Sequence, residues 1–488
     1  MTRLSARALA TVAPAGTALP PPRELAAGIG ILHLGIGAFH RAHQAVFTED
    51  AAVAADEAGW GICGVTQRST NVVAQLRPQD CLYAVLERGR GAPSLRVVGQ
   101  VRDVLFAADE GARLMERFAD PAVRVVTLTV TEKGYRRGPT GGLDLDDPLV
   151  QADLAGSAQT TVGQLVRGLQ ARARTSGAPV SVLSCDNLTE NGSVLRGLVD
   201  DFCAALPSSE GDAVRAWIEA SVAYPRSMVD RIVPATTDND RAAAQAMLGL
   251  VDHALVVTEP FRQWVIEDVF AAGRPAWERA GADMVGDVTP FEQLKLRLLN
   301  GTHSMLAYLG ALRGHRTIAD AVADSEMAEA ARRFMAEDVV PTLTQPPGVD
   351  VAAYAAQVLE RFANPALPHR TTQVAMDGSQ KLPPRLLGTV RDRLAAGHDP
   401  QWATLGVAAW MAYVAASAES PSPLVSLDDP LATRLRDAAP AGAGAAAVVD
   451  GLLGVTEVFG DDLRDSAMFR RSLIGHVSAL LAPVNQSA

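Results

Sequence analysis

The stretch HLGIGAFHRAHQAVF, residues 33–47, decides how this chain is read. It starts inside an apolar run, GILHLGI at 30–36, and passes through Gly35 and Gly37 into a helix-length segment. A strand that turns through closely spaced glycines into a helix brings backbone N–H groups near a phosphate, with the positive end of the helix behind them. A dinucleotide-binding unit begins this way, and it places Gly35, Ile36, Gly37, Ala38, Phe39 and His40 around the cofactor. The usual pattern carries a third glycine, and here His40 stands in that place. A bare G-x-G is also an ordinary turn, so the reading depends on the strand before it and the helix after it.

Working outward, further short apolar runs alternate with helix-length segments. WGICGVT (60–66), VRVVTLTVT (123–131), PVSVLSC (179–185) and HALVVTE (253–259) read as strands. TTVGQLVRGLQARARTSG reads as a helix closed by Gly177. Nearly continuous apolar strands separated by helices predict a mostly parallel sheet covered on both faces. After about residue 285 the strand signals fade. ADAVADSEMAEAARRFMAEDVV, VAAYAAQVLERFA and PRLLGTVRDRLAAG repeat apolar residues at helical spacing, and AAPAGAGAAAVVDGLLG reads as a loop entering a helix. The expected class is therefore α/β, a Rossmann-like N-terminal domain with a mostly parallel sheet plus a mainly α-helical C-terminal domain. The expected divisions are a flexible leader at 1–25, a dinucleotide-binding domain at 26–285 and a substrate or catalytic domain at 286–488.

Composition narrows the function. The chain has 488 residues, 48% hydrophobic and 20% charged, with a formal net charge of -11. An acidic balance opposes a phosphate-rich partner, so nucleic acid is set aside. No apolar run reaches the roughly 18 to 20 residues that a membrane helix needs. The alanine-rich N-terminus is interrupted by Pro14, which reads as a loose leader rather than an export signal. Cys63, Cys81, Cys185 and Cys203 lie far apart without CxxC spacing, as expected of a reduced, cytoplasmic protein. The oligomeric state is not written in these patterns.

The second strand should end near the adenosine ribose, where an NAD site usually carries an acid. TQRS (66–69) carries none. Arg68 could stack on adenine or pair with a 2′-phosphate, or stand solvated in its loop, so NAD is expected with NADP left open.

Within FEQLKLRLLNGTHSMLAYLG (291–310), Lys295, Asn300 and His303 stand among leucines. On an α-helix of about 100° per residue, Lys295, His303 and Asn300 fall at roughly 0°, 80° and 140°, within one arc. A desolvated lysine can act as general base for an alcohol and general acid for a ketone. An asparagine amide can donate to a developing oxyanion, and a histidine can orient a substrate hydroxyl. A snorkelling lysine and a satisfied core histidine explain the same spacing. Rival proton carriers are scarce: the only close histidine pair, HRAH at 40–43, overlaps the glycine turn, and no tyrosine has a lysine four residues later. No metal site is expected. Polar clusters also follow strands: SCDNLTENG (184–192) supplies Asp186, Asn187 and Asn191, TVTEKGY (129–135) supplies Thr131, Glu132 and Lys133, and SMVDRI (227–232) supplies Asp230 and Arg231. Thr131 and Glu132 are expected to meet the cofactor. Each cluster alone is also turn or capping chemistry.

Taken together, HLGIGAFHRAHQA, LTVTEKGY, SCDNLTENG, SMVDRIVPATT, EPFRQWVIED, AGRPAWERAGADMVGDVTPFEQLKLRLLNGTHS and DGSQKLPPR resemble the polyol-specific long-chain dehydrogenase (mannitol dehydrogenase) family, over about residues 30–465. The resemblance implies metal-independent NAD(P) chemistry on a small sugar acid or polyol. By position it makes Lys295 the general acid/base, Asn191 and Asn300 oxyanion-stabilising amides, and His303, Asp230 and Lys381 substrate-positioning residues. NPALPHRTTQVAMDGSQKLPPR looks more like the fructuronate reductase (mannonate oxidoreductase) branch, with His369 and Arg370 as candidates for a hexonate carboxylate. A neutral-polyol dehydrogenase of the mannitol type is the alternative, and a non-catalytic nucleotide binder a remote one.

Overall fold

The structure is a computed structural model and describes residues 2–12, 17–21, 27–138, 140–366, 369–419 and 422–482. Its contacts divide the chain into two compact units, Met1–Val288 and Thr289–Ala488.

The first unit is built on six parallel strands: β1 (Ile29–Leu34), β2 (Gly61–Thr66), β3 (Val101–Phe106), β4 (Val125–Leu128), β5 (Val180–Ser184) and β6 (Val222–Ala223). Their spatial order is β3-β2-β1-β4-β5-β6, the doubly wound order of a dinucleotide-binding sheet. Both faces are buried, as the continuous apolar runs predict. Leu32 and Leu34 of β1 pack with Leu165 and Leu169 of the helix Thr161–Arg174 on one face, while Ile31 packs with Ala45 and Val46 of the helix Gln44–Ala55 on the other. That first helix ends as expected, with Gly177 donating its N–H to Arg172 O.

Two expectations need correcting. The run at 253–259 contributes Val256–Thr258 to a separate four-stranded sheet, pairing in parallel with Tyr83–Glu87. Strand formation was legible there, but its partner is set by long-range pairing. The opening residues are not simply a loose leader: Leu4 is fully buried and its N–H donates to Val251 O at 2.8 Å, and Thr17–Ala18 pairs with Ser94–Val98. Part of the expected leader, residues 1, 13–16 and 22–25, lies outside the described residues.

The second unit is helical, and no β-strand is assigned among its described residues. Its centre is the helix Gln401–Glu419, buried around most of its circumference and packed against Thr302–Leu312 and Ala467–Leu481. No helix among the described residues is long and apolar enough to cross a membrane.

Histidine is used here as a neutral core residue. His33 is fully buried in β1, where Nδ1 accepts from the Thr127 hydroxyl at 2.8 Å and the ring stacks on His40 with centroids 3.4 Å apart. His43, also buried, donates Nε2–H to Gln263 O at 2.8 Å. Burial lowers the pKa of each from 6.5 to about 3, outweighing the backbone hydrogen bond that favours the charged form. The unfolded chain therefore binds protons that the folded chain refuses between those values. Stability is fully present above pH 6.5 and falls as the pH drops towards 3. Between about pH 7 and pH 5 each such histidine should cost on the order of 2 kcal/mol. Denaturant unfolding at both pH values should show a wild-type loss about 2 kcal/mol larger than that of a His33→Gln variant; equal losses would contradict the assignment.

Candidate active site

In the first unit the polar residues gather at the carboxyl edge of the sheet. Gly35 turns with φ +95°, and a Cβ there would stand 2.2 Å from Thr129 O, so the chain needs glycine at this point. Gly35 and Ile36 both donate their N–H groups to Val65 O, which locks the turn to β2. Gly37 caps the short helix Ala38–Ala42, which breaks at His43 before the run resumes at Gln44. Of the six residues expected around the cofactor, Gly37 and Ala38 are exposed and Gly35 and Phe39 half-buried, whereas Ile36 and His40 are buried. His40 takes the place of the third glycine by stacking on His33, which also uses one member of the HRAH pair, and His43 is committed to Gln263 O. Among the described residues no group of three or more metal-ligating side chains is assembled.

Past the ends of β2 and β3 lies a cavity of about 570 Å³ whose lining includes Gln67, Arg68, Met115, Lys133, Arg136 and Gln164 and no carboxylate. Gln67 donates to Gln164 at 2.7 Å, and Arg136 is paired with Asp147 at 2.8 Å. Arg68 is exposed. A cavity at the ends of β2 and β3, on the same sheet as the glycine turn, fits the adenosine half of a dinucleotide.

The loop after β4 is held from below by Asp186. Its carboxylate accepts from Val130 N at 3.1 Å, Thr131 N at 2.8 Å and the Tyr135 hydroxyl at 2.7 Å. Burial raises the Asp186 pKa, and those hydrogen bonds pull the other way. Glu132 is exposed on the same loop. Asn191 opens the helix Asn191–Ala205 and is fully buried. Its Nδ2 donates to Asp186 O at 3.1 Å and Ser227 O at 2.7 Å, while Oδ1 accepts from Ser227 N at 3.1 Å. Both amide hydrogens are thus engaged, binding the loop at 186 to the strand Ser227–Asp230 that carries Asp230, itself buried.

In the second unit the uniform α-helix expected over 291–310 is replaced. Thr289–Leu294 is α-helical, Lys295–Gly301 is π-helical, and Thr302–Leu312 returns to α. The wider turns invalidate a constant angle of about 100° per residue, and a π segment inside an α-helix is a frequent mark of a functional site. Lys295 and Asn300, each 7% exposed, both lie on it, and Asn300 Nδ2 has no hydrogen-bond partner among the described residues.

His303 follows one turn later, stacked on Phe362, with Nε2 3.4 Å from Nδ1 of His369. Its pKa is pushed well below 6.5 by burial first, then by His369, Arg385, Lys381 and Arg361. Lys381 is lowered from 10.5 by burial and by Arg385, opposed by Asp377, Asp429 and Asp428. Arg385 donates to the Ser304 hydroxyl at 3.0 Å. The structure thus brings His303, His369 and Lys381 into one cationic neighbourhood and adds Arg361 and Arg385, which the sequence reading did not single out. Both stand in the last turns of their helical segments, a common electrostatic placement for a cation. Arg370 lies just beyond His369 with an exposed side chain.

A doubly wound sheet with a glycine turn, and a helical unit with a buried lysine, define a two-unit nicotinamide-type oxidoreductase architecture. The family descriptions "Mannitol dehydrogenase Rossmann domain" and "Mannitol dehydrogenase C-terminal domain" match residues 29–279 and 287–481. The chain belongs to the mannitol dehydrogenase family of oxidoreductases. It is 44% identical to the uncharacterized oxidoreductase YdfI of Escherichia coli over 93% of each chain, and 42% identical to the D-mannonate oxidoreductase of the same organism over 92% of each. The ternary complex of Pseudomonas fluorescens mannitol 2-dehydrogenase with NAD and D-mannitol matches at TM-score 0.85 and 36% identity, over 98% of this chain and 97% of that one.

The two asparagines should separate by stability. Asn191→Ala strands a buried N–H and buried carbonyls and should cost on the order of 3 kcal/mol, whereas Asn300→Ala removes an unpartnered donor and should cost about 1 kcal/mol or less. Urea midpoints of the two variants check this, and similar losses would refute the distinction.

Proposed function

We propose that this protein is a sugar-acid reductase that interconverts D-fructuronate and D-mannonate with NAD as cofactor. The observation that carries the sugar acid over a neutral polyol is the company His303 keeps: Arg385, Lys381 and Arg361 act on it after His369, and Arg385 reaches the neighbouring Ser304 hydroxyl at 3.0 Å. Cations gathered at one site favour a substrate that brings its own negative charge. Similarity to a D-mannonate oxidoreductase over nearly the whole chain supports the same reading. NAD is drawn from the complex of the mannitol 2-dehydrogenase, and the carboxylate-free cavity beside Arg68 is why NADP belongs in the same assay.

The bound nicotinamide supplies or accepts the hydride. In the reducing direction the ketone carbon gains that hydride, and its oxygen must gain a proton. Buried Lys295 is the group proposed to deliver it. Asn300, with its free Nδ2, is proposed to donate to the oxyanion as charge develops. Asn191 holds the second amide position by resemblance. Since both its N–H groups are engaged, its contribution is to fix the loop at Asp186 and the strand that ends in Asp230. Neutral His303 orients a hydroxyl, and Lys381 with Arg385 faces the carboxylate, with His369 and Arg370 as further candidates for that end.

Lys295→Ala should lower kcat with fructuronate by about 10²- to 10⁴-fold, the worth of a positioned acid/base. Arg385→Ala should raise KM for fructuronate by roughly tenfold or more, as expected for a hydrogen bond to a charged group, and leave KM for fructose nearly unchanged. Steady-state rates with NADH and with NADPH, for Arg385→Ala and Arg370→Ala separately, measure this. Equal effects on the uronate and the neutral ketose in both variants would favour the polyol dehydrogenase reading instead.

A further inference from the structure

Thr131 has a backbone that its residue type does not favour. Its φ of 67° and ψ of 161° lie in a region essentially reserved for glycine, and a β-branched side chain makes the conformation costlier still. The other non-glycine residues with positive φ include Asp56, Asp80, Arg136, Glu190 and Asp377, which occupy the milder left-handed helical region.

The surroundings hold Thr131 there. Asp186 takes the N–H groups of Val130 and Thr131, and Gly134 N donates to Thr131 O at 2.9 Å. Tyr135 and Ser184 complete the buried network, their hydroxyls 2.7 Å apart. Both backbone polar groups of Thr131 are therefore engaged, yet its side chain is exposed and the hydroxyl makes no hydrogen bond among the described residues. Glycine would adopt this backbone without strain, so the loop keeps a side chain at a cost. Its position supplies a use. Two residues earlier, Thr129 touches the glycine turn through Thr129 Oγ1 to Gly35 O at 2.9 Å, and two residues later Lys133 lines the cavity of about 570 Å³.

We propose that Thr131 contacts the dinucleotide through its hydroxyl, and that Asp186 is a positioning residue holding the strained backbone that presents it. The proposal rests on the dinucleotide reading of this sheet edge and is independent of the sugar substrate.

The test is direct titration of the full-length protein with NADH, followed by nucleotide fluorescence, together with thermal midpoints. Thr131→Gly should raise the midpoint, because strain is relieved, yet weaken NADH binding by about fivefold, the worth of one hydrogen bond near 1 kcal/mol. Thr131→Ser, which keeps the hydroxyl, should bind within about twofold of wild type. Asp186→Asn should lower both the midpoint and NADH affinity. A merely structural threonine would change the midpoint and leave affinity alone, so unchanged NADH affinity in Thr131→Gly overturns the proposal even if Asp186→Asn fails to fold. If the wild type binds neither NADH nor NADPH, the dinucleotide reading itself is overturned, and this proposal with it.

Discussion

In the helical unit two π-helical segments meet at close quarters. Gly301 ends the segment Lys295–Gly301, and the carbonyl of Arg385, from the segment Pro383–Leu387, comes so near that a Cβ on Gly301 would stand 2.8 Å from it. No larger residue fits without moving one backbone. This approach sets Arg385 beside Ser304 and therefore beside His303, and it fixes the stretch on which Lys295 and Asn300 lie. Regular α-helical hydrogen bonding is interrupted at the turn that carries the buried polar residues Lys295 and Asn300.

The dinucleotide-binding unit solves a related problem with a carboxylate. A buried acid is costly unless hydrogen bonds satisfy it, and Asp186 is satisfied by two backbone N–H groups and a tyrosine hydroxyl. The same network joins the loop after β4 to the loop after β5, and Asn191 extends it to the strand that ends at Asp230. Local geometry at the sheet edge is thus set by fully engaged side chains, while the exposed groups between them remain available to a ligand.

Much of this was legible in the sequence. Strands β1, β2, β4 and β5 are unbroken apolar runs, which only a sheet covered on both faces demands. The first strand, the turn through Gly35 and the helix after it are likewise written in the sequence. Strand β3, VRDVLF, was missed because Arg102 and Asp103 interrupt its pattern, although the strand pairs along its length with β2. The π turns were illegible in principle, since apolar spacing does not record whether a carbonyl is bonded four or five residues on. Leu4 was hidden in an alanine-rich opening that offers no periodicity. The cationic neighbourhood of His303 joins residues more than fifty positions apart in sequence, which a single sequence does not bring together.

The proposed function joins a buried lysine and an unpartnered amide on one π-helical segment to a sugar-acid substrate, for which the groups around His303 are the argument. The most direct measurement is kcat/KM of the wild-type enzyme for fructuronate, tagaturonate and fructose in parallel, read as nicotinamide oxidation. Fructuronate should exceed fructose by at least about tenfold, and the excess should shrink as salt screens the cations. A protein that reduces fructose as well as or better than either uronate would contradict the assignment.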